Sequence, residues 1–203
     1  MSEGIVIAKL NWSKFYQGEE ETETTFSDGD NYERFNFRRT ADGFYGSIPR
    51  RAPDKKGEWL VVFIARDTDD EHYAVGWYEN ALFEEGPRPE YKSDPKMLLS
   101  KYGKEFTYSV RAKAAYLLPP KIRHYFKAPS MKHFGQATYI FATGSSDDTE
   151  PWRQEFASFA GRVVRQSIGT EALDSHPSPR PTAKRKRVII RKRPKFPLAQ
   201  SYG

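Results

Sequence analysis

Glu58-Trp-Leu-Val-Val-Phe-Ile-Ala65, the turn Asp67-Thr-Asp-Asp-Glu71 and the run Tyr73-Ala-Val-Gly-Trp-Tyr78 decide the fold. The first run is apolar at nearly every position, so both of its faces must be covered, as in a strand inside a sheet. The polar turn suits a hairpin tip. The third run is again aromatic and β-branched, and returns as the antiparallel partner.

Outward from this hairpin, Ile5 to Trp12 alternates well enough for a strand. Arg34-Phe-Asn-Phe-Arg38 and Gly43-Phe-Tyr-Gly-Ser-Ile48 read as short aromatic strands separated by the turn Thr40-Ala-Asp-Gly43. Glu105 to Leu118 and Ala137 to Ala142 add further strands. A helix is expected over Glu150 to Ile168, where Trp152, Phe156, Phe159, Val163 and Val164 fall at helical spacing. Asp147, Asp148 and Thr149 stand ready to cap it, and Pro151 suits its first turn. Pro95 to Tyr102 suggests a short helix, and the acidic, Thr-rich stretch from Glu19 to Asn31 a surface loop at the rim of a site. The order predicts an α+β fold: a small, mixed, partly closed β-barrel with peripheral helices.

The chain has 203 residues and a net charge of +6. That charge is unevenly placed. Residues 170–203 hold nine Lys/Arg against Glu171 and Asp174, a net +7, which leaves −1 for residues 1–169. The domain expected over 1–169 is therefore nearly neutral, and recognition by it must rest on shape and side-chain chemistry rather than bulk charge. Residues 170–203 read as a Pro-rich basic linker or tail. Its Lys184, Arg185, Lys186 and Arg187 are candidate phosphate contacts, and its Val188-Ile-Ile190 a short strand for a partner.

With 37% hydrophobic residues and a mean hydropathy of −0.79, no run approaches the roughly 20 apolar residues of a spanning helix, so no membrane partner is expected. Met1-Ser-Glu-Gly4 lacks the basic start of a secretory signal. No Cys is present, which excludes disulfides and thiolate chemistry and suits a cytoplasmic setting. The four histidines, His72, His124, His133 and His176, show no metal-ligand spacing. There is no phosphate-cradling Gly-rich loop and no G-x-S-x-G elbow. Carboxylates at Asp67 to Glu71 and at Glu84 and Glu85 lie as on solvated tips. Catalytic residues, metals and cofactors are accordingly not expected within these residues.

Aromatics beside small polar residues carry the binding chemistry. Asn11-Trp-Ser-Lys-Phe-Tyr-Gln-Gly18 and Gly76-Trp-Tyr-Glu-Asn-Ala81 both read as strand ends where rings meet amides. Rings at a barrel mouth can sandwich a planar base, at about 1–3 kcal/mol of stacking per base. Trp12, Trp77 and Tyr78, with Tyr16, would wall the cage; Asn11, Ser13 and Asn80 would read the base edge. Lys14, Arg123 and Lys132 would meet phosphates. The plainer reading is that these rings fill the core.

The stretches Asn11–Gly18, Glu33-Arg-Phe-Asn-Phe37, Leu60-Val-Val-Phe-Ile-Ala65, Val75-Gly-Trp-Tyr-Glu-Asn-Ala81, Tyr116-Leu-Leu-Pro-Pro-Lys-Ile-Arg123 and Phe134-Gly-Gln-Ala-Thr-Tyr-Ile-Phe141 resemble, in order, the domain that precedes HNH nuclease domains in prokaryotic restriction-type endonucleases. The layout is similar to EVE/YTH modules of the PUA-like class. The resemblance implies a DNA-binding sensor of a modified, flipped base that serves an HNH endonuclease, in cis or in trans, in phage defence. No His-Asn-His set follows in the tail, so cleavage would be supplied from outside these residues. The competing expectations are a fragment of such a nuclease without a base pocket, and a protein-interaction module docking through the 150–168 helix or the Val188-Ile-Ile190 segment.

Overall fold

The computed structural model describes residues 2–13, 16, 32–49, 52–89 and 107–167. The expected rim loop at 19–31, the expected helix at 95–102, Lys14 and the basic tail lie outside the described residues. The described strands are β1 Gly4–Leu10, β2 Arg39–Thr40, β3 Gly43–Gly46, β4 Trp59–Arg66, β5 His72–Pro87, β6 Thr107–Ala112, β7 Ala114–Leu117 and β8 Tyr139–Thr143. The helices are α1 Pro120–Arg123 and α2 Pro151–Gln166, with 3₁₀ turns at Tyr32–Phe35 and Met131–His133.

The chain is α+β, built on one mixed sheet of eight strands in the order β2-β3-β6-β5-β4-β1-β8, with β7 also on β5. β2 and β8 end the order without pairing to each other, so the sheet stays open. β4 lies inside it, parallel to β1 and antiparallel to β5, because its side chains are apolar on both faces. Val61, Phe63 and Ala65 enter one core with Phe37, Phe44, Tyr78 and Val110. Val62 and Ile64 enter a second core under α2, with Trp77, Phe134, Phe156, Phe159 and Val163. Each such large apolar side chain, fully buried, contributes about 1.5–3 kcal/mol.

Three differences from the sequence expectation bear on the site. β5 runs to Pro87, well past Tyr78, so Gly76-Trp-Tyr sits inside a strand and not at its end. Its first part pairs β4 on one edge and β7 on the other; its last part pairs β6. The polar residues Glu79, Asn80, Glu84 and Glu85 interrupt the apolar run, because β5 is exposed there. Residues 34–38 do not form a strand. Phe35 and Phe37 are both buried, but from the end of the 3₁₀ turn and the bend that follows it, where the Asn36 side chain exchanges hydrogen bonds with the backbone of Ser47, at 2.9 and 3.0 Å. Phe35, Asn36 and Phe37 are thus all buried, as a turn allows and an alternating pleat would not. Finally, α2 takes Glu150 as its N-cap without a side-chain cap. Asp148 instead accepts from the backbone N–H groups of Gly144 and Ser145, closing the turn that precedes the helix.

Candidate functional site

After β1 the chain folds back on itself. Tyr16 adopts φ +51, takes the Ser13 hydroxyl on its own N–H at 3.3 Å, and donates its phenol to the Asn11 carbonyl at 2.7 Å. Its carbonyl accepts from Phe37 N–H at 2.8 Å, and its ring meets that of Phe37 edge-on. Asn11, Trp12, Ser13 and Tyr16 are therefore gathered at one place, beside the turn Tyr32–Phe35. Among the expected site residues these four are brought together.

Arg123 holds this cluster from inside. It is 1% exposed. Its Nε donates to the Leu118 carbonyl at 3.0 Å and its Nη1 to the Ser13 carbonyl at 2.8 Å. The guanidinium packs on the Trp12 ring at 5.4 Å and on the Tyr16 ring at 5.7 Å. The expectation that Arg123 meets phosphate gives way: it is a buried brace, and its cation covers one face of the Trp12 ring and one of the Tyr16 ring.

The expected cage of Trp12, Trp77 and Tyr78 does not form. Neighbouring residues in a strand point to opposite faces of the sheet. Trp77 is 2% exposed in the core under α2, stacked on Tyr116 at 4.7 Å with its indole N–H donating to Glu79. Tyr78 is fully buried on the other face, edge-on to Phe37 and Phe63, with its phenol donating to the Asn36 carbonyl. Trp12 packs against the same core as Tyr78, across the sheet from Trp77. Asn80 lies apart from both, exposed in a cleft near Lys113. Lys132 is exposed in the turn Met131–His133.

What remains of the site is smaller and includes a residue that side-chain patterning did not single out. Trp12 is half-buried, Asn11 is exposed, and Glu33 is 4% exposed. The Asn11 amide reaches the Glu33 carboxyl at 3.4 Å. Burial pushes the Glu33 carboxyl above its ordinary pKa, against the smaller opposing effects of a backbone N–H and of Asn11. The available signal was a charge inside the aromatic run Glu33-Arg-Phe-Asn-Phe37, where a solvated acid would have no reason to sit.

Among the described residues no group of three or more His, Asp or Glu could hold a metal ion. No described helix is long and apolar enough to cross a membrane. No family model, curated protein or solved structure matches this chain.

Proposed function

We propose that the chain is a nucleic-acid-binding sensor module that takes up a modified, extruded base in DNA and serves a restriction-type nuclease in cis or in trans. The observation that supports this reading is the meeting of a half-buried Trp12, the exposed Asn11 amide and the buried Glu33 carboxyl at one place. The indole offers a stacking face to a flat heterocycle and rewards the apolar area that a methyl group adds. The amide and the carboxyl offer donors and acceptors to the polar edge of the base. One indole replaces the cage, so the reading needs extrusion of a single base onto one ring. Phosphates would be met by Lys132 and by the basic residues of 170–203.

Binding to matched duplexes, with and without N6-methyladenine or 5-methylcytosine, tests it. The exposed-side-chain variant Asn11→Ala and the variant Trp12→Ala should lose the preference for modified DNA and keep plain-duplex affinity. Equal loss on both duplexes, or no loss on either, refutes the reading. The burial of Trp77 and Tyr78 and the packing of Arg123 on Trp12 favour a second reading, a protein-interaction or structural domain of an HNH endonuclease. That domain would bind neither duplex once the tail is removed.

A further inference from the structure

The two ends of the sheet are finished differently. β2 closes the order with two residues, too short to offer a ladder to another chain. β8 closes it with five, Tyr139-Ile-Phe-Ala-Thr143, which include no charge, proline or glycine. An uncharged, apolar strand at an edge is a template for pairing with a further strand. The register shows which groups that edge presents. β8 runs antiparallel to β1, with Ile7 opposite Ile140 and Ala8 opposite Tyr139. Lys9 donates its backbone N–H to the Thr138 carbonyl at 2.7 Å. Along an antiparallel ladder, residues bonded to the neighbour alternate with residues turned away from it. Thr138 and Ile140 therefore bond to β1, and Tyr139 and Phe141 turn their N–H and C=O groups to the open side.

One of those outward groups is met by a side chain instead of a strand. Arg153, in the first turn of α2, donates its Nη1 to the Phe141 carbonyl. The arginine is held from several sides. Its Nη2 stands 3.7 Å from the Asp147 carboxylate, and its guanidinium lies on the Trp152 ring at 4.5 Å. That indole is itself stacked with His133, the ring centres 5.3 Å apart and the planes within 7°. The Arg153 side chain is 16% exposed, so it is fixed along the edge and does not wave in solvent. Lys55 brings a second cation to the same place, 5.6 Å from the Phe141 ring.

The strand that this arrangement excludes is a second β8. Two copies paired antiparallel about Ile140 would set the outward groups of Tyr139 in one against those of Phe141 in the other, a two-fold contact that needs no other partner. Arg153 opposes that contact twice. Its Nη1 holds the Phe141 carbonyl that the ladder would use, and each copy would bring Arg153 and Lys55 against the same cations of the other. We propose that Arg153 is an edge guard: reaching from α2 to cap Phe141, it keeps the chain from pairing with a second copy of itself through β8. The device is independent of the Asn11–Trp12–Glu33 cluster and of any DNA contact.

Sedimentation velocity and amide hydrogen exchange on the full chain test the assignment. The wild type should sediment as a monomer, with the Tyr139 and Phe141 amides exchanging fast and the Ile140 amide protected. Arg153→Ala should sediment as a dimer at concentrations where the wild type does not. Its Tyr139 and Phe141 amides should slow about tenfold, the effect of pairing in about nine-tenths of the molecules, while Ile140 is unchanged. Arg153→Met keeps the aliphatic stem and the helical preference and should dimerise in the same way, so it decides the matter if the alanine variant folds poorly. Variants that stay monomeric at every concentration, dimers whose Tyr139 and Phe141 amides still exchange fast, or a wild type already paired at those amides overturns the proposal.

Discussion

Arg123 shows why a cation can be placed inside this protein. A buried charge is costly unless its donors are met, and the guanidinium reaches two carbonyls, of Leu118 and Ser13, from one planar fork. The rings of Trp12 and Tyr16 cover its faces. Glu33 is the opposite case: an acid whose burial outweighs its hydrogen bonds, so that the protonated form is favoured on folding. Its raised pKa contributes stability that is fully present below the unfolded value and is lost as pH rises through the folded value. Glu33→Gln keeps the shape and removes the titration. In urea unfolding at a series of pH values, the variant should match the wild type in acid and become the more stable of the two towards neutrality. Parallel curves across the whole range would remove Glu33 from the account of the site.

Strand β5 is the element that joins the two cores. It carries Tyr78 into one core and Trp77 into the other, then bends at Asn80 to reach β6. Its ability to run between two paired edges needs Gly76. A Cβ there would collide with the Tyr116 carbonyl of β7 and with the ring of Phe37. Neither can yield easily, since one is ladder backbone and the other is packed against Tyr16, Phe63 and Tyr78. Gly76→Ala should therefore cost about 1–3 kcal/mol, the usual penalty of overpacking, measured by chemical denaturation. The glycine is plain in the sequence as part of Gly76-Trp-Tyr78, but its role is not. Only the register of β5 on β7, with Gly76 opposite Leu117 and Trp77 opposite Tyr116, brings those atoms within reach.

At the scale of the molecule, the proposed reading has the nearly neutral body and the basic 170–203 segment divide the work of binding. Phosphate contacts release counterions and are independent of sequence. Removing residues 170–203 should weaken binding to plain and modified DNA alike. The slope of log affinity against log salt should shrink by about 0.9 for each phosphate that the tail no longer neutralises. Filter binding over a salt series measures this; a changed ratio of modified to plain affinity would place recognition in the tail instead. The uneven placement of charge was legible in the sequence, because charge is counted residue by residue. So were the central hairpin β4–β5 and α2, since each rests on local periodicity and turn chemistry. The absence of a cage was not. Trp12, Trp77 and Tyr78 share a chemistry, but the pleat sends Trp77 and Tyr78 to opposite faces. The return of α1 beside Ser13 puts Arg123 against Trp12. The meeting of Asn11 with Glu33 likewise joins residues 22 positions apart. Local pattern determines which residues are apolar, which turn and which are charged. Which of them face one another depends on strand register and on the curl of the whole sheet, and those are settled only when distant segments pack.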